Sequence, residues 1–149
     1  MKYNYLLFTI TFYILSACSD SAIIYENKKE LLEPNKIKLH EVTVVTETDD
    51  SLTLDFIYTY NHDVPAEEIK LFIMPDHGYW FTQDVKISQG KHSARVIIGL
   101  SKSNMAEDNV TESDTTKLRF RFDRYQPRKY LGNVWGEDIP YEKHWKLVK

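Results

Sequence analysis

The side chains best suited to recognition in this chain are aromatic. Tyr125, Tyr130, Trp135, Tyr141 and Trp145 fall in the C-terminal third, interleaved with Arg124, Arg128, Lys129, Lys143 and Lys146. Tyrosine and tryptophan join a large flat contact area to a polar tip, so such a cluster suits a sugar ring, a peptide strand or a protein surface. The competing use is packing, and Trp80 and Trp135 are expected to be at least half buried. Metal chemistry has weaker support. Asp76-His77 lies in the turn-like stretch Pro75–Gly78, and His40, His62, His92 and His144 are scattered. A catalytic zinc needs three converging ligands, and none of these spacings pre-forms that set. The stretch from Lys102 to Thr115 carries Glu107, Asp108, Glu112 and Asp114, without the ordered Asp-x-Asp-x-Asp-Gly of a calcium loop. Neither a Gly-x-Ser-x-Gly elbow nor a glycine-rich phosphate loop is present. Paired carboxylates for glycoside cleavage stay open, because sequence spacing does not report distance in space. No catalytic residue, metal or cofactor is assigned, and no enzyme is expected.

Strands must position these side chains. From Ile37 onward apolar residues alternate with polar ones, the signature of half-buried β-structure. Leu52, Leu54, Phe56, Tyr58 and Tyr60 share one face of Ser51–Tyr60. In Thr116–Tyr125, Leu118, Phe120 and Phe122 oppose Lys117, Arg119, Arg121 and Asp123. Ile37–Thr46, Ile69–Met74, Thr82–Ile87 and Ser93–Leu100 are further strands, and Tyr141–Val148 is the last. Turn residues punctuate them at Thr48-Asp49-Asp50, Asn61-His62-Asp63, Pro75–Gly78, Ser88-Gln89-Gly90 and Gly132-Asn133. Lys102–Thr115 breaks the rhythm and reads as a long solvated loop. Arg119 and Arg121 are expected to pair with acids on neighbouring strands, such as Asp55. The pattern predicts an all-β, antiparallel sandwich of about seven strands. In pattern it resembles immunoglobulin-like and fibronectin type III-like domains, without the paired cysteines of antibody domains.

The N-terminus reads as a leader. Lys2 gives a positive start, and the 11 residues Tyr5–Leu15 are mainly apolar. That run is too short for a membrane-spanning helix, which needs about 20 residues. Small residues follow, as in a secretory signal. Leu15-Ser16-Ala17-Cys18 ends the run on the only cysteine in the chain. These four residues resemble the lipobox of bacterial lipoproteins. The resemblance implies cleavage before Cys18, a diacylglyceryl group on its thiol and an acyl chain on its new amino group. It also implies an outer-membrane destination, because Ser19 rather than aspartate follows the cysteine. Two or three acyl chains hold a protein at a bilayer essentially permanently. The expected organisation is a signal peptide over 1–17, a lipidated N-terminus and tether over 18–36, and a sandwich over 37–149. Tyr25–Leu32 could form a short helix within that tether.

Composition narrows the function classes. The net charge is −3, and losing Lys2 with the leader makes it −4. Nucleic acid is not an expected partner, because that footprint needs clustered basic residues. With Cys18 lipidated, no thiol remains for a zinc or redox site. The expectation is a lipid-anchored, periplasm-facing binding or assembly-accessory protein of the bacterial envelope, with an envelope protein as partner. The alternatives are a module that binds glycan or peptidoglycan through surface Tyr and Trp, and an inhibitor or immunity-type lipoprotein.

Overall fold

A computed structural model describes residues 21–28, 37–77, 80–100 and 112–146. Its strands are β1 (Ala22–Glu26), β2 (Ile37–Glu47), β3 (Ser51–Tyr60), β4 (Ile69–Pro75), β5 (Trp80–Thr82), β6 (Gly90–Leu100), β7 (Glu112–Gln126) and β8 (Lys129–Lys146). They form two antiparallel sheets, ordered β1-β2-β3-β6-β5 and β4-β7-β8. The expected all-β, antiparallel sandwich of about seven strands is therefore what the chain builds, with eight strands among the described residues. Setting β1 aside, β2-β3-β6-β5 against β4-β7-β8 is the strand order of a constant-type immunoglobulin sandwich.

The two segments with the cleanest alternation are the central ones. β3 lies between β2 and β6, and β7 lies between β4 and β8. A strand paired on both sides must bury one whole face, so its sequence alternates most strictly. Across the sandwich Phe56 meets Phe120 edge-on at 5.6 Å between centroids, and Phe122 lies 5.9 Å from Tyr58 and 6.1 Å from Tyr60. Burial pushes the Tyr60 hydroxyl up to about 12, and it donates to the Val64 carbonyl at 2.8 Å.

Several expectations need correction. Ala22–Glu26 is not tether. It pairs with β2 as an edge strand, and Ile24 and Tyr25 pack against the core. Ile23-Ile24-Tyr25 favours extended backbone but is too short to display a period. Tyr25 and Glu26 are therefore strand rather than helix, while 29–36 fall outside the described residues. Thr82–Ile87 is not a strand either, since β5 ends at Thr82; Ile87 inserts into the core and Val85 packs against it, partly buried. The expected loop ends early, because Glu112–Thr115 already pair with Lys143–Lys146; 101–111 lie outside the described residues.

Gly132-Asn133 is not a turn. The chain reverses at Pro127-Arg128, and β8 runs straight through Gly132, Gly136 and Pro140. β8 is an edge strand, where missing side chains and a missing N–H are tolerated. Bulges between Phe122/Asp123 and Arg124/Tyr125 absorb the positive φ of Gly132.

Arg128 adopts φ 66°, a left-handed conformation that costs an L-residue about 1–2 kcal/mol. Pro127 before it pre-sets the first turn position. Arg128→Gly relieves that strain but adds disorder to the unfolded chain, worth about 0.5–1 kcal/mol in the other direction. A net gain of up to about 1 kcal/mol is expected in denaturant titration. A clear loss would contradict the turn geometry.

Candidate binding surface

The outer face of the three-stranded sheet gathers aromatic and cationic side chains. It arises because β4 is apolar on both sides: Ile69, Leu71 and Ile73 point into the core, leaving Lys70, Phe72 and Met74 outside. Register places Phe72 opposite Arg121 and Met74 opposite Arg119. On the other flank Arg121 faces Gly136, Arg119 faces Asp138 and Tyr125 faces Tyr130.

At the hairpin end of this face the Tyr125 ring lies 6.1 Å from Phe72 and 5.4 Å from Tyr130. The Lys70 ammonium sits 5.3 Å from the Tyr125 centroid, within cation–π range. An Arg121 Nη2 donates to the Tyr130 hydroxyl at 3.4 Å, and Tyr130 keeps 49% of its surface exposed.

Beside these rings runs a charged strip. Arg119 grips Asp138 with two bonds, at 2.7 and 3.1 Å, and Lys117 reaches the same carboxylate at 3.0 Å. The Arg119 hydrogen bond holds Asp138 down at about 2, against the opposing effect of burial. Arg121 Nη2 donates to Asp123 at 2.8 Å, and Asn133 donates to the other Asp123 oxygen at 3.0 Å. Gly136 leaves space among them, a shallow hollow of about 420 Å³ lined by Arg119, Arg121, Asn133 and Asp138. Four cations, Lys70, Lys117, Arg119 and Arg121, meet three carboxylates here, Asp76, Asp123 and Asp138, on a chain of net charge −3.

Two of the five aromatic candidates, Tyr125 and Tyr130, belong to this surface. The others do not. Trp145 is fully buried, with the Lys143 ammonium 4.6 Å from its ring centre, so it cannot present a face to a ligand. Trp135 is partly buried and meets Phe122 edge-on at 5.6 Å. Tyr141 lies toward the opposite end of β8, donating to Glu47 at 2.6 Å; burial and that carboxylate together raise its pKa. Both tryptophans are on the inward register of an edge strand, and that register could not be read while β8 was broken at Gly132. Tyr79 and the Trp80 and Phe81 side chains lie outside the described residues, as does Cys18.

Phe72 was missed. The signal was present in Leu71-Phe72-Ile73-Met74, a strand greasy on both faces, whose outer face needs a use. The partner of Arg119 and Arg121 is also corrected: Asp55 sits on the other sheet, where register sets it against Arg95, at 2.6 and 2.7 Å. That pair lines a wider hollow of about 550 Å³ with Glu41, Thr43 and Ser93. Asp55 and Arg95 close on each other, Glu41 accepts from the Thr43 hydroxyl at 3.2 Å, and the aromatic residue in the hollow's lining, Phe56, is buried and offers no platform.

The histidines and Asp76 are used locally. His40 bonds Thr59 at 2.8 Å, His62 accepts from the Val64 N–H at 3.1 Å, and His92 bonds the Gln89 carbonyl at 2.7 Å. His144 contacts Asp114. Among the described residues no group of three His, Cys, Asp or Glu is placed to hold a metal ion. Asp76 clamps the end of β4 to β7. It accepts from the Thr116 N–H at 2.9 Å, the Thr116 hydroxyl at 2.6 Å and the Lys117 N–H at 3.3 Å, and it contacts the Thr115 hydroxyl.

Comparison with protein-family models and with curated proteins finds no match for this chain.

Proposed function

We propose that the protein is a lipid-anchored, non-catalytic binding protein of the bacterial outer membrane, facing the periplasm and moored through Cys18. Its sandwich offers the outer face of β4-β7-β8 to an envelope protein partner. The observation that carries this reading is the convergence of Phe72, Tyr125 and Tyr130 beside Arg121 and Lys70. Aromatic and arginine side chains in contact are the composition of interface hot spots. The Tyr125 and Tyr130 planes meet at 56°, which suits an irregular protein surface better than the flat face of a sugar. Anchoring confines the search to the membrane surface and raises the effective concentration of a weakly binding partner. Asp76, Asp123 and Asp138 each serve structural bonds, which speaks for binding rather than catalysis.

Photocrosslinking in living cells from Phe72 tests the reading. Tyr130→Ala and Arg121→Ala are each expected to lower the yield of the captured envelope protein about tenfold, the effect of about 1.4 kcal/mol. Arg95→Ala, on the opposite sheet, should leave it unchanged. Equal losses from both faces, or retention on insoluble peptidoglycan that Tyr130→Ala abolishes, would overturn the protein-partner reading. Cys18→Ser should release the protein from the membrane fraction.

A further inference from the structure

The placement of β1 determines how the domain meets the bilayer, if Cys18 carries the lipid as proposed above. Only Ser19, Asp20 and Ser21 separate Cys18 from Ala22. Four Cα steps span at most about 14 Å, so the acyl chains must enter the membrane within that radius of Ala22. Ala22 pairs with Val44, close to the end of β2 that turns into β3. We infer that this end of the sandwich rests on the lipid surface and that the Pro127-Arg128 hairpin points away from it.

The side chains near Ala22 agree with a lipid neighbour. Ile23 is exposed over 59% of its surface, more than the other exposed large hydrophobic residues, Ile97, Tyr130 and Leu131. A groove of about 270 Å³ opens beside it, lined by Ala22, Ile24, Val44, Val45 and Tyr141, with Thr46 and Glu47 at its polar edge. Charge does not choose between this end and the long side of β1: Glu26, Glu41 and Glu137 stand along that side, Glu26 offset by Lys28 at 3.2 Å, and Glu47, Asp49 and Asp50 stand at the β2–β3 end, Glu47 offset by Lys143 at 2.9 Å. The orientation rests on the short reach from Cys18 to Ala22 and on the exposed Ile23 beside it.

The strands run the length of the molecule. Lys143 bonds Glu47 at 2.9 Å and the Thr48 carbonyl at 2.5 Å, which ties its register partner Thr115 to the bilayer end. From Thr115 to the hairpin, β7 rises about 35–40 Å at roughly 3.3 Å per residue. Tyr125 and Tyr130 thus stand well clear of the headgroups, free to engage a partner.

With Cys18 acylated, an introduced cysteine is the sole free thiol in the mature chain. Full-length lipidated protein carrying Asp49→Cys or Lys129→Cys is labelled with a fluorophore and reconstituted into phosphatidylglycerol-containing vesicles with a headgroup-attached quencher. The Asp49 label is expected to be quenched at least threefold more than the Lys129 label. A third variant, Ile23→Asp, should weaken that difference while remaining bound to vesicles. Equal or reversed quenching, with protein that floats with the vesicles, overturns the orientation alone. Protein that fails to float overturns the anchoring and the orientation together.

Discussion

Phe122→Ala is expected to lower the unfolding free energy by about 3–5 kcal/mol, the usual cost of deleting a buried ring. Phe122 is 1% exposed and touches side chains from both sheets and from the edge strand. It stacks on Tyr60 at 19°, lies near Tyr58 and takes the edge of Trp135. Its removal leaves a cavity that three rigid rings cannot easily refill, so the upper part of the range applies. Phe72→Ala removes the same atoms from a partly exposed site on the outer face and should cost about 1 kcal/mol. Urea titration of the two variants separates the cases. Equal losses would mean that Phe122 does not join the sheets.

Asp76→Ala is expected to cost about 2–4 kcal/mol at neutral pH, because several charge-assisted hydrogen bonds disappear together. Only 12% of the Asp76 side chain is exposed, so solvent screens these bonds little. Burial alone would raise its pKa, but the Thr115 and Thr116 hydroxyls and the Thr116 and Lys117 N–H groups hold it well below the ordinary carboxylate range. A group depressed in the folded state stabilises fully above its unfolded pKa of about 3.9 and loses that contribution as pH falls below it. The stability gap between parent and Asp76→Ala should therefore be constant from about pH 7 to 5 and shrink steadily toward pH 2. Asp138 titrates over a similar range, yet at 39% exposure its pair with Arg119 contributes little and is common to both proteins. A gap that stayed constant down to pH 2 would remove Asp76 from this role.

Legibility followed pairing. Ser51–Tyr60 was readable to the residue because β3 is flanked on both sides and buries every second side chain. The edge strands were harder. β1 is five residues long, and β8 carries two glycines, an asparagine and a proline that an interior strand would not accept. Misplacing the hairpin at Gly132-Asn133 hid the register of β8, and with it the inward direction of Trp135 and Trp145. Of the candidate surface, Tyr125 and Tyr130 were legible as residues. Their meeting with Phe72 was not, because it depends on β4 pairing with a strand some 50 residues away.

Sequence alone determined the class of architecture, because alternating burial with period two is a local property of the chain. It also carried the Leu15–Cys18 motif, which is local by nature. Only tertiary structure decided which aromatic rings pack and which face outward, and that Arg95 rather than Arg119 or Arg121 holds Asp55. It also decided that Ala22–Glu26 belongs to the sheet. The physical reason is register: a shift of one residue turns every side chain of a strand to the other face, and register is set by partners distant in sequence.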